Sequence, residues 1–264
     1  MPAKQRIDQL LVARGLAESR EKAQALILAG HVLINGQKAA KPGHSVPADA
    51  SVEILERMPY ASRGGYKLAA ALDRFHIDLT GKKCLDVGAS TGGFTDCLLQ
   101  RGAAKVWAID VGHGQLDWKL RNDPRVIVRE GTNARYLKPE EFPDRFDLAT
   151  CDASFISTTL LIPAIVPLLA PRGEMILLVK PQFEVERGQV GKGGIVREPE
   201  LHQAACDRIR AAVEHAGLHV TIDLHGTIGF HVTIIDSPIL GAEGNREFLL
   251  YASREVPPET RLKD

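Results

Sequence analysis

The sequence is poor in cysteine, in aromatic residues and in net charge. It has 4 cysteines in 264 residues, 5% aromatic residues, and 33 acidic residues that balance 33 basic ones. The cysteines form no CxxC pair and have no histidines at zinc spacing, so we expect reduced thiols, no disulfide scaffold and no metal site. A net charge of zero leaves nucleic-acid binding open, because that binding depends on where basic residues cluster.

Long apolar segments are also lacking. The longest apolar stretch, residues 160–170, is interrupted by Pro163 and Pro167, and it is far shorter than the ~20 residues needed to cross a bilayer. Residues 1–10 are polar and helix-like, unlike a signal peptide. We therefore expect a cytoplasmic protein without membrane contact. The length fits one large domain and one small domain.

Residues 1–58 are predicted to form the small domain, of the α+β class. Apolar residues at helical spacing predict two short helices, which end at Gly15 and Gly30. A predicted strand over Val32–Ile34 runs into Asn35-Gly36, a strong signal for a hairpin turn, and residues 52–55 predict a last strand.

Two helices followed by a small hairpin sheet resemble the RNA-binding domain of the S4 type, named after a small-subunit ribosomal protein. The resemblance covers about fifty residues and includes Arg6-Ile7-Asp8, Leu26-Ile27 and Ile34-Asn35-Gly36. It implies that basic side chains contact RNA phosphates, where lysine and arginine release counterions. The alternative is an ordinary solvated surface. The candidate residues are Lys4, Arg6, Arg14, Arg20, Lys22, Lys38 and Lys41.

After a predicted linker at 59–62, residues 63–254 alternate β-branched runs with helical patterns. This alternation is typical of a parallel sheet with helices on both faces. The sequence predicts an α/β, Rossmann-like sheet of seven mostly parallel strands, with a ligand at their carboxyl ends and a C-terminal tail at 255–264. The predicted strands are 83–87, 105–110, 125–129, 146–152, 174–179, 220–224 and 247–251, and the predicted helices are 93–101, 158–169 and 199–216.

The end of the first of these strands carries a glycine-rich loop whose spacing is not that of dinucleotide-binding folds. Asp86 precedes it, and a carboxylate there suits a ligand with an ammonium group, such as the methionyl tail of S-adenosylmethionine. Asp110 ends the next strand, where it would accept hydrogen bonds from ribose hydroxyls, and Asn133 follows the third strand, where adenine is contacted. S-adenosylmethionine is the predicted cofactor; the alternative is the glycine loop of another nucleotide fold. The predicted cofactor-binding residues are Asp86, Gly88, Ser90, Thr91, Gly92, Gly93, Phe94, Asp110, Val111, Asn133 and Asp152.

Four charged residues occupy positions suited to catalysis. Methyl transfer to a hydroxyl requires the protein to orient the nucleophile and handle its proton, and a lysine can accept that proton. Lys67 lies at the entrance of the second domain, Asp152 and Lys180 end two strands, and Glu247 begins the last strand. In this order they resemble the Lys-Asp-Lys-Glu tetrad of FtsJ-type ribose 2′-O-methyltransferases. We expect Lys180 to orient the ribose hydroxyl and take its proton, and Asp152 to fix Lys180. Lys67 is expected to add a nearby positive charge, and Glu247 to hold the lysines and the substrate ribose in register. The alternative is four unrelated surface charges.

The whole sequence resembles the TlyA family, often labelled hemolysin A. The resemblance runs from about Arg6 to Ser253 and is most specific at 86–94, 112–116, 120–126, 152–157 and 180–194. It implies methylation of cytidine 2′-hydroxyls in ribosomal RNA, of the large subunit or of both subunits. The short C-terminal tail favours the narrower specificity, while the basic N-terminus leaves the question open. Residues 188–194 are predicted to form a mobile loop over the site, and Arg63, Arg187 and Lys192 are further candidates for RNA contact.

Three alternative functions differ in what they require of the sequence. A membrane-damaging hemolysin would need a spanning segment or a strongly amphipathic surface helix, and neither is present. A small-molecule O-methyltransferase would share the cofactor site but would not need the N-terminal domain or the tetrad. A non-catalytic RNA-binding module would not need the tetrad. The partner is expected to be ribosomal RNA or a ribosomal subunit, and the sequence indicates neither the nucleotide nor the oligomeric state.

Overall fold

The structure is a computed structural model that describes residues 4–28, 30–39, 41–54, 59–217, 219–220, 234–241 and 244–253. The chain divides into two compact units between Pro59 and Tyr60. Among the described residues, no helix is long and apolar enough to cross a membrane. The predicted tail at 255–264 and most of the predicted strand at 220–224 lie outside the described residues.

The first unit is a small α+β structure built around one apolar core. Strand β2 pairs with β3 and β5, and β1 pairs with β4, all antiparallel. Ile7, Leu11 and Ile27 of the two helices are buried against Val32. The elements are β1 (Lys4–Arg6), α1 (Ile7–Ala13), α2 (Arg20–Leu28), β2 (Val32–Ile34), β3 (Gln37–Lys38), β4 (Ser45–Pro47) and β5 (Val52–Ile54).

The predicted hairpin is confirmed, because Asn35 and Gly36 both have positive φ, 49° and 77°, as a tight turn between twisted strands requires. The helix-like interpretation of the first ten residues is wrong at Lys4–Arg6, which forms β1. Short polar strands of this kind carry little periodicity, and here the partner strand β4 lies some forty positions along the chain.

The second unit is a sheet with helices on both faces. The strands are β6 (Lys83–Val87), β7 (Lys105–Ile109), β8 (Val126–Arg129), β9 (Phe146–Cys151), β10 (Leu169–Val179), β11 (His219–Val220), β12 (Ile234–Asp236) and β13 (Phe248–Ser253). The helices are α3 (Gly64–Arg74), α4 (Gly93–Gln100), α5 (Trp118–Arg121), α6 (Ile162–Ile165), α7 (Pro181–Glu184) and α8 (Pro199–His215).

The strand order is β11-β13-β10-β9-β6-β7-β8, and β12 also pairs with β13. Strands β6 to β10 run parallel, while β13 is antiparallel to β10. The predicted mostly parallel sheet of seven strands is thus confirmed. The short strand β12 is an addition, which pairs with β13 on the same edge as β11. The chain order reverses between β6 and β9, and ligands of such sheets bind at the carboxyl ends of the strands beside that reversal.

Alternate residues of each central strand enter two different cores, because successive side chains point to opposite faces. In β10, Leu177 packs with residues of α8, whereas Ile176 and Leu178 pack with residues of α3 and α4. The sheet is therefore covered on both faces, and its functional groups are left at the strand ends.

One predicted helix needs correction, and one helix was missed. The predicted helix at 158–169 is divided into 3-10 turns at Thr158–Leu160 and Val166–Leu168 with the single α-helical turn α6 between them, because Pro163 and Pro167 lack the backbone N–H that a continuous helix needs. Helix α3 was not predicted, since it begins with Gly64-Gly65, which disfavour a helix on propensity alone.

Candidate active site

A pocket of about 260 Å³ opens in the second unit at the carboxyl ends of β6, β9 and β10. It combines the glycine-rich loop, three of the four predicted catalytic side chains and the N-terminal residues of α3. The lining residues are Ser62, Arg63, Gly64, Lys67, Gly88, Ala89, Ser90, Thr91, Gly93, Phe94, Asp152, Ser154, Lys180, Ile239 and Gly241. The structure therefore brings these residues together at the predicted edge of the sheet.

Two glycines of the loop lie where a side chain would clash with neighbouring protein atoms. Gly88 has φ of 82°, and a methyl group on it would be 2.8 Å from the carbonyl oxygen of Asp152. At Gly93 the same methyl group would be 2.2 Å from the Oγ of Ser62. These two glycines thus let the loop pack directly against the end of β9 and the residues that begin α3, and the first N–H groups of α4 lie beside the pocket.

Asp110 holds the loop in this position. Its Oδ2 accepts a hydrogen bond from the backbone N–H of Ser90 at 2.8 Å, and its Oδ1 accepts one from the N–H of Gly112 at 2.7 Å. Ser90 is a non-glycine residue at positive φ, 48°, a conformation that needs support from neighbours. The predicted ribose-binding carboxylate is therefore next to the pocket-lining Ser90.

Asp86 does not line the pocket, in contrast to its predicted direct contact with an ammonium group. Its carboxylate is fully buried, where Oδ2 accepts a hydrogen bond from the Thr95 hydroxyl at 2.6 Å and Oδ1 one from the Thr150 hydroxyl at 3.0 Å. Burial raises the pKa of Asp86 to about 6, although both hydroxyls oppose the rise. Its side chain joins β6 to β9 and α4 beneath the glycine loop.

Asp110 and three other predicted cofactor residues also lie outside the pocket lining. Asn133 is exposed and accepts a hydrogen bond from the N–H of Arg135 at 3.1 Å, which begins a short 3-10 turn. Val111 follows Asp110 and is 72% exposed. Gly92, with φ of 95°, packs against Leu120 on the side of α5.

The four predicted catalytic residues form two ion pairs. Lys180 Nζ lies 2.6 Å from Asp152 Oδ1 and donates a hydrogen bond to Ser154 Oγ at 2.8 Å. Lys67 Nζ donates to Glu247 Oε2 at 2.5 Å. Both lysines are more than nine-tenths buried, so each ammonium group has a carboxylate partner, as a buried charge requires.

Two contributors to these pairs were not predicted. Ser154 supplies the second contact of Lys180, and its role depends on a side-chain direction that spacing does not reveal. Gly241 lies against Glu247, since a methyl group on it would be 2.0 Å from Glu247 Oε1. No periodic signal marks Gly241, so its contact with Glu247, six positions later, could not be inferred from spacing.

An exposed aromatic residue follows the Asp152 strand end. Phe155 is 92% exposed and has φ of 65°, which is rare for a bulky side chain. Its ring centroid lies 5.5 Å from that of Phe183, which belongs to the short helix directly after Lys180. A strained and exposed aromatic side chain here is better explained by ligand contact than by stability.

The predicted basic residues are distributed over both units. Arg63 lines the pocket, and Arg187 and Lys192 are exposed in the segment after α7. That segment is tied down at its end, because Asn245 Nδ2 donates to the carbonyl of Gly194 at 2.9 Å and its Oδ1 accepts from the N–H of Val196 at 3.1 Å. The mobility predicted for residues 188–194 stays a prediction.

In the first unit, five of the predicted basic residues are exposed or form polar contacts at the surface. Lys4 and Lys41 are exposed, Arg14 donates to the carbonyl of Ala48 at 2.6 Å, and Lys22 pairs with Glu18. Lys38 is exposed on β3. Arg6 and Arg20 instead share the buried carboxylate of Asp8. Among the described residues, no group of histidine, cysteine, aspartate and glutamate could hold a metal ion.

Comparisons with known families match both units. The model for FtsJ-like methyltransferases matches residues 60–254, and the S4 domain model matches residues 5–52. The 16S/23S rRNA (cytidine-2′-O)-methyltransferase TlyA of Mycobacterium tuberculosis is 45% identical over 253 residues, which cover 95% of this chain and 90% of that protein. Hemolysin A of Brachyspira hyodysenteriae is 42% identical over 247 residues, covering 93% of this chain and 98% of that protein.

A solved structure supports the same relationship. A protein from Streptococcus thermophilus that is named a hemolysin superposes with a TM-score of 0.71 and 40% identity, covering 98% of this chain and 90% of that one. A methyltransferase structure from Listeria monocytogenes, described as S-adenosylmethionine dependent, shares the fold with a TM-score of 0.52 at only 15% identity.

Proposed function

Since this chain belongs to the FtsJ-like methyltransferase family, we propose that it transfers a methyl group from S-adenosylmethionine to the ribose 2′-hydroxyl of a cytidine in ribosomal RNA. The observation that carries this proposal is the pair of buried ion pairs, Lys180 with Asp152 and Lys67 with Glu247, at one pocket beside the glycine loop. The substrate class comes from relatives named for cytidine 2′-O-methylation of 16S and 23S rRNA.

The residues present fit the cofactor. Gly88, Ser90 and Gly93 line the pocket, and glycine lets the backbone approach a ligand closely. Asp110 stands beside Ser90, where a carboxylate can accept hydrogen bonds from two ribose hydroxyls. When bound, S-adenosylmethionine supplies a methyl group that is already activated by its sulfonium centre. The protein must then bring a hydroxyl into line and manage its proton.

Lys180 is the group suited to that task. Its Nζ contacts both Asp152 and Ser154, and all three residues line the pocket. In its neutral form it accepts the proton of the ribose hydroxyl, as a general base placed within hydrogen-bond reach does. Lys67, fixed by Glu247, places a second cation at the same pocket.

Three features support RNA rather than a small molecule as the substrate. The chain carries a match to the S4 domain. Arg63 lines the pocket. The exposed ring of Phe155 lies against the partly buried ring of Phe183 next to the catalytic strand ends, where a nucleobase can stack. A small-molecule enzyme would need none of these features.

The proposal is tested by transfer of radiolabelled methyl groups to purified 30S subunits, purified 50S subunits and their extracted RNAs. We expect label in a 2′-O-methylcytidine of at least one subunit, identified by nuclease mapping and mass spectrometry. Label in a base atom, in another nucleoside or in no ribosomal substrate would contradict the proposal. The comparison of the four substrates also shows whether one subunit or both are methylated.

A further inference from the structure

Asp8 is completely buried in the first unit, yet it is surrounded by groups that reach the surface. Its Oδ1 accepts a hydrogen bond from Arg6 Nε at 3.0 Å, and its Oδ2 accepts one from Arg6 Nη2 at 2.9 Å. Oδ2 also accepts from Arg20 Nε at 2.9 Å and from Gln24 Nε2 at 2.9 Å. One carboxylate of α1 thus holds a residue of β1 and two residues of α2.

The two arginines are anchored at one end and exposed at the other. The side chain of Asp8 is 0% exposed, whereas those of Arg6 and Arg20 are 40% and 49% exposed. Arg20 reaches Asp8 through Nε, which leaves both of its terminal nitrogens without a bond to this carboxylate. Two guanidinium groups against one carboxylate leave a net positive charge at the surface, and a guanidinium fork matches the oxygens of a phosphate.

Anchoring of this kind lowers the entropic cost of binding. A free arginine samples many rotamers and loses that freedom when it binds a phosphate, whereas a side chain already fixed by a second bond loses less. The guanidinium of Arg6 holds the pKa of Asp8 well below its usual range, so the anchor stays charged at neutral pH.

We propose that Asp8 is a positioning residue for RNA binding, which holds Arg6 and Arg20 side by side as a preformed phosphate-binding surface of the first unit. This inference rests on the proposed function, because it takes RNA as the ligand. It assigns a binding role to a buried acidic residue that cannot itself contact RNA, and whose charge alone would repel it.

Because Asp8 is negatively charged, as RNA is, removal of its charge should strengthen RNA binding if only repulsion matters and weaken it if Asp8 positions the arginines. Asp8→Asn removes one negative charge, and by long-range electrostatics alone it would strengthen RNA binding. Loss of the anchor would instead weaken it. The control is Glu53→Gln, which removes the same charge from an exposed position on β5, away from the contacts of Asp8.

The measurement is filter binding of the full-length protein to a 23S rRNA transcript over a series of KCl concentrations. We expect Asp8→Asn to weaken binding by about tenfold and to reduce the slope of log affinity against log salt by about one, as for one lost phosphate contact. Glu53→Gln should bind as well as the unsubstituted protein or better. Asp8→Asn binding that equals or exceeds that of Glu53→Gln would overturn the proposal.

The same substitution in a protein that already carries Arg20→Gln distinguishes a positioning role of Asp8 from a role in folding. If Asp8 acts through Arg20, Asp8→Asn should have a smaller effect on RNA binding when Arg20→Gln is already present; equal effects in both backgrounds would show a merely structural role. Should Asp8→Asn unfold the first unit, Arg20→Lys decides, because it keeps the charge but not the anchored fork. Weaker binding by Arg20→Lys supports the proposal, and unchanged binding overturns it.

Methyl transfer is scored separately from binding. A protein that binds the transcript with the expected salt dependence but methylates no ribosomal substrate would contradict the proposed function and leave the role of Asp8 intact. Normal methylation of ribosomal RNA together with strong RNA binding by Asp8→Asn would contradict the role of Asp8 and leave the proposed function intact.

Discussion

Asp8 in the first unit and Asp86 in the second are both fully buried, but their surroundings differ. Asp8 meets two guanidinium groups, and the hydrogen bonds from Arg6 are the main reason that its pKa is lowered. Asp86 meets the hydroxyls of Thr95 and Thr150, and burial raises its pKa to about 6. The charge of a carboxylate hidden from solvent therefore depends on the cations beside it as well as on its depth.

The same contrast separates the two kinds of site. The first unit keeps its arginines half exposed around a buried anion, which suits contact with a polyanion outside the protein. The second unit buries Lys67 and Lys180 with one carboxylate each at a pocket, which suits the positioning of a single hydroxyl. Changes to each arrangement should have different consequences, and these consequences test the comparison.

The largest effect is expected at Lys180, the buried lysine that lines the pocket and pairs with Asp152. Lys180→Ala should lower the methylation rate by about 10²–10⁴-fold, as loss of a positioned general base does, with little change in cofactor affinity. Lys180→Arg should not restore the rate, because a guanidinium stays charged and cannot accept a proton. Single-turnover methylation of ribosomal subunits measures both variants.

Lys82→Ala is the control for Lys180, since Lys82 pairs with Glu174 and does not line the pocket. It should methylate at the normal rate. A Lys180→Arg enzyme with near-normal rate would rule out the base role and leave only electrostatic positioning.

Removal of residues 1–58 should separate the two units in function. We expect the shortened protein to bind S-adenosylmethionine as before, because all the described residues that line the pocket belong to the second unit. Its rate on ribosomal substrate should fall by about 10–100-fold at physiological salt, since the phosphate contacts of the first unit are lost. Calorimetry measures the first property and radiolabel transfer the second; an unchanged rate would contradict the targeting role of the first unit.

A smaller effect should follow from a methyl group at Gly241. It would come within 2.0 Å of Glu247 Oε1, so Gly241→Ala must displace the carboxylate that holds Lys67. We expect the rate of methyl transfer to fall by about tenfold or more, a cost of about 1.4 kcal/mol or more in the barrier. Gly188→Ala is a matched control, because no atom of the described part of the chain lies within 4 Å of the added methyl group, and it should keep the normal rate.

The sequence could predict those residues of the site that lie at the ends of strands. Asp152 and Lys180 come directly after apolar strands, and parallel strands place such ends at one edge of a sheet, so their meeting was predictable. The direction of Asp86 was not, because its partners Thr95 and Thr150 lie in a helix and in a strand that touch β6 only in the folded protein. Ser154 and Gly241 escaped prediction for the same reason, since their contacts are set by packing and not by spacing.

The smallest expected effect is on stability, and it tests the contrast between the two buried carboxylates directly. The pKa of Asp86 in the folded protein, about 6, exceeds its ordinary value of 3.8, so folding favours the protonated form. Its contribution to stability is therefore complete below about pH 4 and is lost as the pH rises through about 6. The gap between the two values corresponds to about 3 kcal/mol at most.

Asp86→Asn removes the ionisable group but keeps an amide that can bond to the threonine hydroxyls. The variant should match the unsubstituted protein near pH 4 and exceed its free energy of unfolding by up to about 3 kcal/mol at pH 8, as measured by urea unfolding without cofactor. Asp144→Asn is a suitable control, because that carboxylate is only partly buried and pairs with Lys83. A stability difference that is the same at both pH values would show that Asp86 does not titrate between them, and the contrast with Asp8 would then rest on geometry alone.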